Sequence, residues 1–156
     1  MGLSERYGLG SYALITGASD GIGYGYCRQL ALLGFNLVMQ GRNKEKLEQK
    51  AKELQEWLKS KEKKEVDIRL VIFDFESSQH EEDYVNAFFP VTMNLDLSLV
   101  VNNAGFSQVG PFRNVPIQLM KAMIDVNVVH PLLLSKLYLP MLKERFRETG
   151  LQSGLI

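Results

Sequence analysis

A glycine cluster near the start of the chain constrains its fold more than any other feature. The apolar run Tyr12–Ile15 leads directly into Thr16-Gly17-Ala18-Ser19-Asp20-Gly21-Ile22-Gly23, which opens into a helix-like stretch. Glycine has no β-carbon, so its backbone can take positive φ angles and come close to a bound group. The free N–H groups and the dipole of a following helix favour negative charge. The cluster therefore predicts a phosphate-binding turn between a strand and a helix.

Apolar runs and helical patterns alternate along the rest of the chain. We predict strands at Tyr12–Thr16, Asn36–Gln40, Asp67–Phe75 and Leu97–Val101, helices at Ile22–Leu33, Lys44–Lys63, Glu81–Phe89 and about 116–148 with a junction at Pro131, and a fifth strand opening at Ser153–Ile156. The apolar runs are continuous rather than alternating, which is typical of parallel strands covered by helices on both faces. The pattern predicts an α/β fold with a Rossmann-like, doubly wound parallel sheet that is truncated after the start of its fifth strand.

Composition makes several classes of partner improbable. The chain has 156 residues, and its 18 basic residues balance its 18 acidic ones, so no broad field favours nucleic acid or an anionic membrane. Cys27 is the only cysteine, which excludes an internal disulfide, and we interpret it as a small core residue. His80 and His130 are interpreted as structural, so no metal site is predicted. Without a long apolar run or a signal-peptide core, we predict no membrane span and a cytoplasmic location.

Four motifs in the same order and spacing resemble those of the short-chain dehydrogenase/reductase family, of the classical type. They are Thr16 with Gly17, Gly21 and Gly23 (T-G-x-x-x-G-I-G), the acid Asp74 after the third strand, Asn102-Asn103-Ala104-Gly105 after the fourth, and Asn127. The resemblance covers essentially the whole chain. The segments Tyr7-Gly8, Asp20–Gly23, Gly41–Leu47 and Leu139–Leu142 are similar to the branch of 17-beta-hydroxysteroid dehydrogenases and long-chain 3-ketoacyl-CoA reductases.

The resemblance implies a nucleotide cofactor and a set of residues that hold it, within a single NAD(P)-binding domain over residues 1–156. Ile22 would lie beneath the pyrophosphate, Asp74 would contact the adenine, and Asn127 would be the structural and catalytic asparagine. The expected cofactor-binding residues are Gly17, Ser19, Asp20, Gly21, Ile22, Gly23, Arg42, Asn43, Asp74, Asn103, Ala104 and Gly105.

The end of the second strand predicts which cofactor is used. An acid there would accept hydrogen bonds from the ribose 2′-hydroxyl of NAD, whereas Gly41-Arg42-Asn43 offers one guanidinium and no acid. NADP(H) is therefore favoured over NAD(H), with a solvated surface arginine as the alternative interpretation of Arg42. Asp20 stands where many NADP-preferring relatives keep a basic residue.

The catalytic groups of the family are only partly present. In the family a tyrosine donates the proton, with a lysine four residues later and a serine at the substrate oxygen. None of the six tyrosines here has a lysine four residues on, and the resemblance places the serine and the Tyr-x-x-x-Lys motif beyond Ile156, leaving Asn127 alone. We expect this chain by itself to be inactive.

Two functions follow as hypotheses. The first is the NADP-binding portion of an oxidoreductase acting on a carbonyl or hydroxyl of a lipid-like small molecule, either a steroid or a 3-ketoacyl substrate. The second is a non-catalytic structural or interaction subunit of a larger assembly. In both, a second copy or a protein partner is expected to cover the helical face 117–148, where Leu132, Leu133, Leu137, Leu139 and Leu142 would form an apolar patch.

Overall fold

A five-stranded parallel sheet forms the centre of the molecule. The structure, a computed structural model, describes residues 2–77 and 80–156. The strands are β1 (Tyr12–Ile15), β2 (Asn36–Gly41), β3 (Ile68–Ile72), β4 (Leu97–Val101) and β5 (Gly154–Leu155). Their spatial order is β3-β2-β1-β4-β5, and every neighbouring pair is parallel. This order confirms the predicted Rossmann-like, doubly wound sheet.

Helices cover both faces of the sheet. They are α1 (Leu3–Tyr7), α2 (Gly21–Leu32), α3 (Lys44–Ser60), α4 (Glu81–Thr92), α5 (Ile117–Ile124) and α6 (His130–Thr149), with a 3-10 turn at Phe112–Asn114. On one face Cys27 of α2 and Leu47 of α3 pack against Ile15 and Met39 of the sheet. On the other face the core consists of Leu14, Val38 and Val100 of the sheet, Tyr84 and Phe88 of α4, and Leu134, Tyr138 and Leu142 of α6. The continuous apolar runs of the strands thus have a core on each side, as predicted.

The direction of the crossovers reverses at β1. Ile15, the last residue of β1, pairs with Met39 of β2 on one side and with Val101 of β4 on the other. The loops that leave β1 and β4 therefore diverge toward opposite faces and open a crevice at the carboxyl ends of the strands. In doubly wound sheets this switch point is where ligands bind.

The long C-terminal helical region, predicted for about 116–148 with a junction at Pro131, has its junction a few residues earlier. Helices α5 and α6 are separated by a π-helical segment, Asp125–Val129, in which His130 N–H donates to the carbonyl of Asp125 five residues earlier. Pro131 follows at the first turn of α6 and has no N–H to continue the α-helical ladder. The junction is therefore one residue wider than an α-helical turn, as in a π-bulge.

Several other boundaries also differ from the prediction. Helix α4 continues through Pro90 to Thr92, whose buried hydroxyl donates to the carbonyl of Phe88 at 3.0 Å and hydrogen-bonds Tyr138 Oη at 2.9 Å. Strand β3 ends at Ile72 rather than Phe75, and α1 was not predicted at all. These ends depend on contacts between distant segments rather than on local pattern.

Buried Arg145 joins three distant segments of the chain. Its guanidinium binds the Asp96 carboxylate, with Nε to Oδ1 at 2.5 Å and Nη2 to Oδ2 at 3.1 Å. It also donates to the carbonyl of Tyr7 at 2.6 Å and to that of Gln152 at 2.9 Å. Arg145 thereby fastens α1 and the connection into β5 to the start of β4.

The outer face of α5 and α6 is apolar. Leu132, Leu139 and Phe146 are exposed, whereas the expectation that Leu142 belongs to this exposed patch is wrong, because Leu142 is 3% exposed and packs in the core. Within the described residues, the stretch Ile117–Thr149 is long and apolar enough to cross a membrane by length and composition, a test that core helices of soluble proteins also pass. Here its inner side packs against the sheet through Leu134 and Tyr138.

Candidate cofactor site

A cleft lies at the switch point, above the carboxyl ends of β1, β2 and β4. Its volume is about 180 Å³. It brings together Gly17, Ser19, Arg42, Asp74, Ala104 and Gly105 from the predicted set, and adds Gln40, Gly41, Phe73, Phe75, Glu76, Phe106 and Val126. The other predicted cofactor-binding residues do not line this cleft and lie around or behind it. They are Asp20, Gly21, Ile22, Gly23, Asn43 and Asn103.

Thr16 and Asn103 fasten the end of β4 to the end of β1. The buried Thr16 Oγ1 accepts hydrogen bonds from the backbone N–H groups of Asn103 and Ala104, both at 2.9 Å. In return, Asn103 Nδ2 donates to the Thr16 carbonyl at 2.9 Å. Asn103 therefore supports the wall of the cleft from behind, while Ala104 and Gly105 line it.

Three glycines shape the turn between β1 and α2. Gly17 has φ +64°, and a β-carbon there would lie 3.0 Å from Ala104 Cα, while one on Gly23 would lie 2.3 Å from the Gly17 carbonyl oxygen. Gly21 has φ +47° with no other atom within 4 Å of its β-carbon position. The first turn of a helix also presents N–H groups without intrahelical acceptors. Ile22 lies in this turn with its side chain exposed. The open space and these N–H groups fit a pyrophosphate.

Gln40, which the sequence analysis did not identify, links three strand ends. Its side chain is buried; Oε1 accepts from Gly17 N–H at 3.1 Å, and Nε2 donates to the Phe73 carbonyl at 2.7 Å. These bonds hold the glycine turn in register with β2 and with the segment after β3. A polar residue at the end of the apolar run 36–41 was the available signal.

Asp20 and Asn43 are helix caps in this structure. Asp20 precedes α2; its Oδ1 accepts from Gly21 N–H at 2.8 Å and its Oδ2 pairs with Lys46 Nζ at 2.6 Å. The hydrogen bond from Lys46 is the main cause that lowers the pKa of Asp20. Asn43 caps α3 by accepting from Lys46 N–H at 2.8 Å. Lys46 thus connects the glycine turn to the start of α3.

Arg42 stands at the rim of the cleft in an ion pair with Glu76, at 2.6 Å between Nη1 and Oε1. The position of Glu76 is fixed in turn by Asp74, whose Oδ1 accepts from Glu76 N–H at 3.1 Å. The sequence analysis predicted Arg42 and Asp74 but missed Glu76. No local pattern could pair Arg42 with an acid 34 residues later.

Asn127 braces the loop that closes the cleft on the β4 side. Its Oδ1 accepts from Phe106 N–H at 3.0 Å, and its Nδ2 donates to the Phe106 carbonyl at 2.8 Å. A β-carbon on Gly105 would lie 3.0 Å from the same Oδ1. Asn127 itself sits in the π-helical segment, so the widened turn is what directs its side chain to the loop.

His130, expected to be structural, lies fully buried beneath the glycine turn. Its Nε2 is 3.3 Å from Thr16 Oγ1, and its ring stacks on Phe75 with centroids 3.4 Å apart. Because Thr16 Oγ1 already accepts two N–H bonds, its own hydrogen points to His130 Nε2 or to the Val101 carbonyl. Burial lowers the pKa of His130 to about 3, so the ring is neutral at physiological pH.

Within the described residues, no group of three or more histidine, cysteine, aspartate or glutamate side chains is arranged to hold a metal ion. A glycine-rich turn at the switch point of a doubly wound parallel sheet instead defines a dinucleotide-binding protein. The family model described as short chain dehydrogenase matches residues 11–150, and the chain belongs to this family.

Relatives confirm the branch that the sequence resembles. The chain is 35% identical over 142 residues to a human protein named very-long-chain 3-oxoacyl-CoA reductase, covering 88% of this chain and 42% of that protein. A solved structure described in work on 7beta-hydroxysteroid dehydrogenase stereoselectivity is 31% identical, with a TM-score of 0.75, and covers 97% of this chain and 52% of its own. A metagenomic short-chain oxidoreductase in complex with NADP is 25% identical, with a TM-score of 0.75 and coverages of 94% and 61%. This chain therefore spans less than two thirds of the length of each.

Proposed function

We propose that the chain is the NADP(H)-binding portion of a short-chain dehydrogenase/reductase that interconverts a carbonyl and a hydroxyl on a lipid-like substrate. The observation that carries the proposal is the cleft at the switch point, where open space at Gly21 adjoins the N-terminus of α2. The names of its relatives support a 3-oxoacyl or steroid substrate. We regard residues 1–156 as a single nucleotide-binding domain, and its cytoplasmic location stays a prediction.

NADP(H) is the preferred cofactor in this proposal. Arg42 is a cation on the cleft lining, and no acid stands at the end of β2, which argues against recognition of a free ribose 2′-hydroxyl. The related oxidoreductase with bound NADP supports the same choice. The nicotinamide of such a cofactor supplies a hydride.

The residues of this chain bind and orient rather than transfer a proton. Amides of the α2 turn would face the pyrophosphate, with Ser19 beside them, and Asp74, Ala104 and Gly105 would face the adenosine. Asn127 would keep the loop after β4 in place through Phe106 and is the one catalytic-site residue that we assign here. The proton donor would come from outside these 156 residues, because no tyrosine here has a lysine four residues on.

The test compares two glycines near the ends of helix α2. Gly21→Ala would place a methyl group in the open space at the pyrophosphate position, so we expect NADPH binding to weaken at least about tenfold. Gly34→Ala is the matched control, because Gly34 also has positive φ and nothing near its β-carbon position, but lies at the far end of α2. The measurement is isothermal titration calorimetry with NADPH. Equal affinity in both variants, or no binding by the wild-type protein, would contradict the proposal.

The exposed apolar face of α5 and α6 supports a second candidate, a non-catalytic interaction subunit. Leu132, Leu139 and Phe146 recur every seven residues and are 65%, 58% and 53% exposed. A homo-oligomer or a protein partner would cover them. Light scattering after size-exclusion chromatography compares the wild-type protein with a variant that carries both Leu132→Asp and Leu139→Asp. A wild-type protein that stays monomeric at high concentration would count against self-association. NADPH binding together with a catalytic partner segment would favour the first function.

A further inference from the structure

We propose that Glu76 weakens the preference for NADP(H) over NAD(H) by competing with the 2′-phosphate of NADP(H) for Arg42. This inference rests on the proposed function, because it concerns the ribose end of the same cleft. It goes beyond the assignment of Arg42 as a phosphate-binding cation, since it makes the affinity for NADP(H) depend on an acid that opposes binding.

The ion pair occupies the arginine in the free protein. Arg42 Nη1 and Glu76 Oε1 are 2.6 Å apart, and both residues line the cleft. Glu76 is held there because the Asp74 side chain accepts its backbone N–H in the turn that follows β3. The backbone of Glu76 is therefore held at a position from which its carboxylate reaches Arg42.

The cleft offers few positive charges to a phosphate, so competition for Arg42 affects binding. The charged residues on its lining are Arg42, Asp74 and Glu76, so the acids outnumber the single cation there. The nearby ammonium of Lys46 is already paired with Asp20 at 2.6 Å. On the described lining of the cleft, a phosphate arriving at the ribose end thus meets one cation, Arg42, which already has a carboxylate partner.

The exchange of partners is energetically accessible. The side chains of Arg42 and Glu76 are 66% and 39% exposed, and exposed ion pairs contribute little to stability. Arginine binds phosphate with two parallel hydrogen bonds, which a single-atom contact to Glu76 does not match. Phosphate therefore displaces Glu76 but binds less tightly than it would without it. NADH brings no 2′-phosphate, so it leaves the pair intact.

The test measures NADPH and NADH affinity in four variants by isothermal titration calorimetry. Glu76→Gln keeps the size of the side chain and removes its charge, so NADPH should bind about fivefold more tightly, as expected when one exposed ion pair no longer opposes binding. NADH affinity should change less than about twofold. The gain should disappear when Glu76→Gln is combined with Arg42→Met, compared with Arg42→Met alone.

The matched control is Glu65→Gln. Glu65 forms a comparably exposed ion pair with Lys59 at 2.8 Å, near the far end of α3. Glu65→Gln changes the net charge by the same amount as Glu76→Gln. Because Glu65 lies near the far end of α3, this variant should leave the affinities for NADPH and NADH unchanged. Unchanged or weaker NADPH binding by Glu76→Gln, an equal gain for NADH, or a gain in Glu65→Gln would each overturn the inference while leaving the proposed function in place. A wild-type protein that binds neither dinucleotide would overturn both.

Discussion

One hydroxyl group, that of Thr16, organises the backbone on the floor of the cleft. It accepts the N–H groups of Asn103 and Ala104 and lies against the His130 ring. Its β-branched side chain also suits the end of a buried strand. The wall that would face the adenosine therefore depends on a residue that does not line the cleft itself.

Replacing this hydroxyl should cost stability as well as affinity. Thr16→Val keeps the shape but leaves two partly buried N–H groups without an acceptor, so we expect the free energy of unfolding to fall by about 2 kcal/mol. Thr16→Ser is the control, because it retains the hydroxyl. Urea denaturation followed by circular dichroism compares the two, and a smaller loss in Thr16→Val than in Thr16→Ser would show that the methyl group, not the hydroxyl, is what matters.

For single residues, the sequence predicted those whose role is local and missed those whose partners are distant. The glycines could be found because the strand-to-helix turn needs them within a few positions. Gln40 and Glu76 meet the site through contacts that span 23 and 34 residues. The pattern around each of them carries no sign of its partner.

Among the elements, the strands were predictable, whereas helix α1 and the π-helical form of the junction before Pro131 were not. Runs such as Leu97–Val101 are apolar apart from Ser98 because both faces of the strand are buried, and the sheet follows from that. Helix α1 and the π-helical segment have no such pattern. Their conformation depends on Arg145 and on the contact of Asn127 with Phe106.

Arg145 gives a prediction about which elements loosen together. Arg145→Met should lower the free energy of unfolding by about 2 kcal/mol, because the carbonyls of Tyr7 and Gln152 lose their donor. Hydrogen exchange should rise in α1 and β5 but not in β1 and β2. Arg147→Met is the control, since Arg147 is an exposed residue of the same helix that pairs with Glu144. Uniformly faster exchange over the whole sheet would contradict this division.

For the whole molecule, buried His130 makes stability depend on pH. Its pKa is about 3 in the folded state against 6.5 for a free histidine, because burial disfavours the charged ring. The unfolded chain therefore takes up the proton first as the pH falls. The contribution of His130 to stability is complete above pH 6.5 and is lost below it, at up to about 1.4 kcal/mol per pH unit.

This dependence can be measured by urea unfolding between pH 4.5 and 7. His130→Gln should be less stable at pH 7 but should show a shallower decline toward acid than the wild-type protein. His80→Gln, which changes an exposed histidine before α4, should keep the wild-type slope. If His130→Gln keeps that slope as well, other groups cause the acid sensitivity.

The hydrogen bonds of Arg145 also affect folding during synthesis of the chain. Tyr7 and Arg145 are 138 positions apart, and β1 lies beside β4, whose residues are more than 80 positions further along the chain. During synthesis, β1 and α1 leave the ribosome long before either partner exists. Contacts of such long separation form slowly, and unpaired strand edges invite aggregation meanwhile. The segment around Tyr7 thus remains without its Arg145 partner while the residues between them are made, a period in which a chaperone would have its greatest effect.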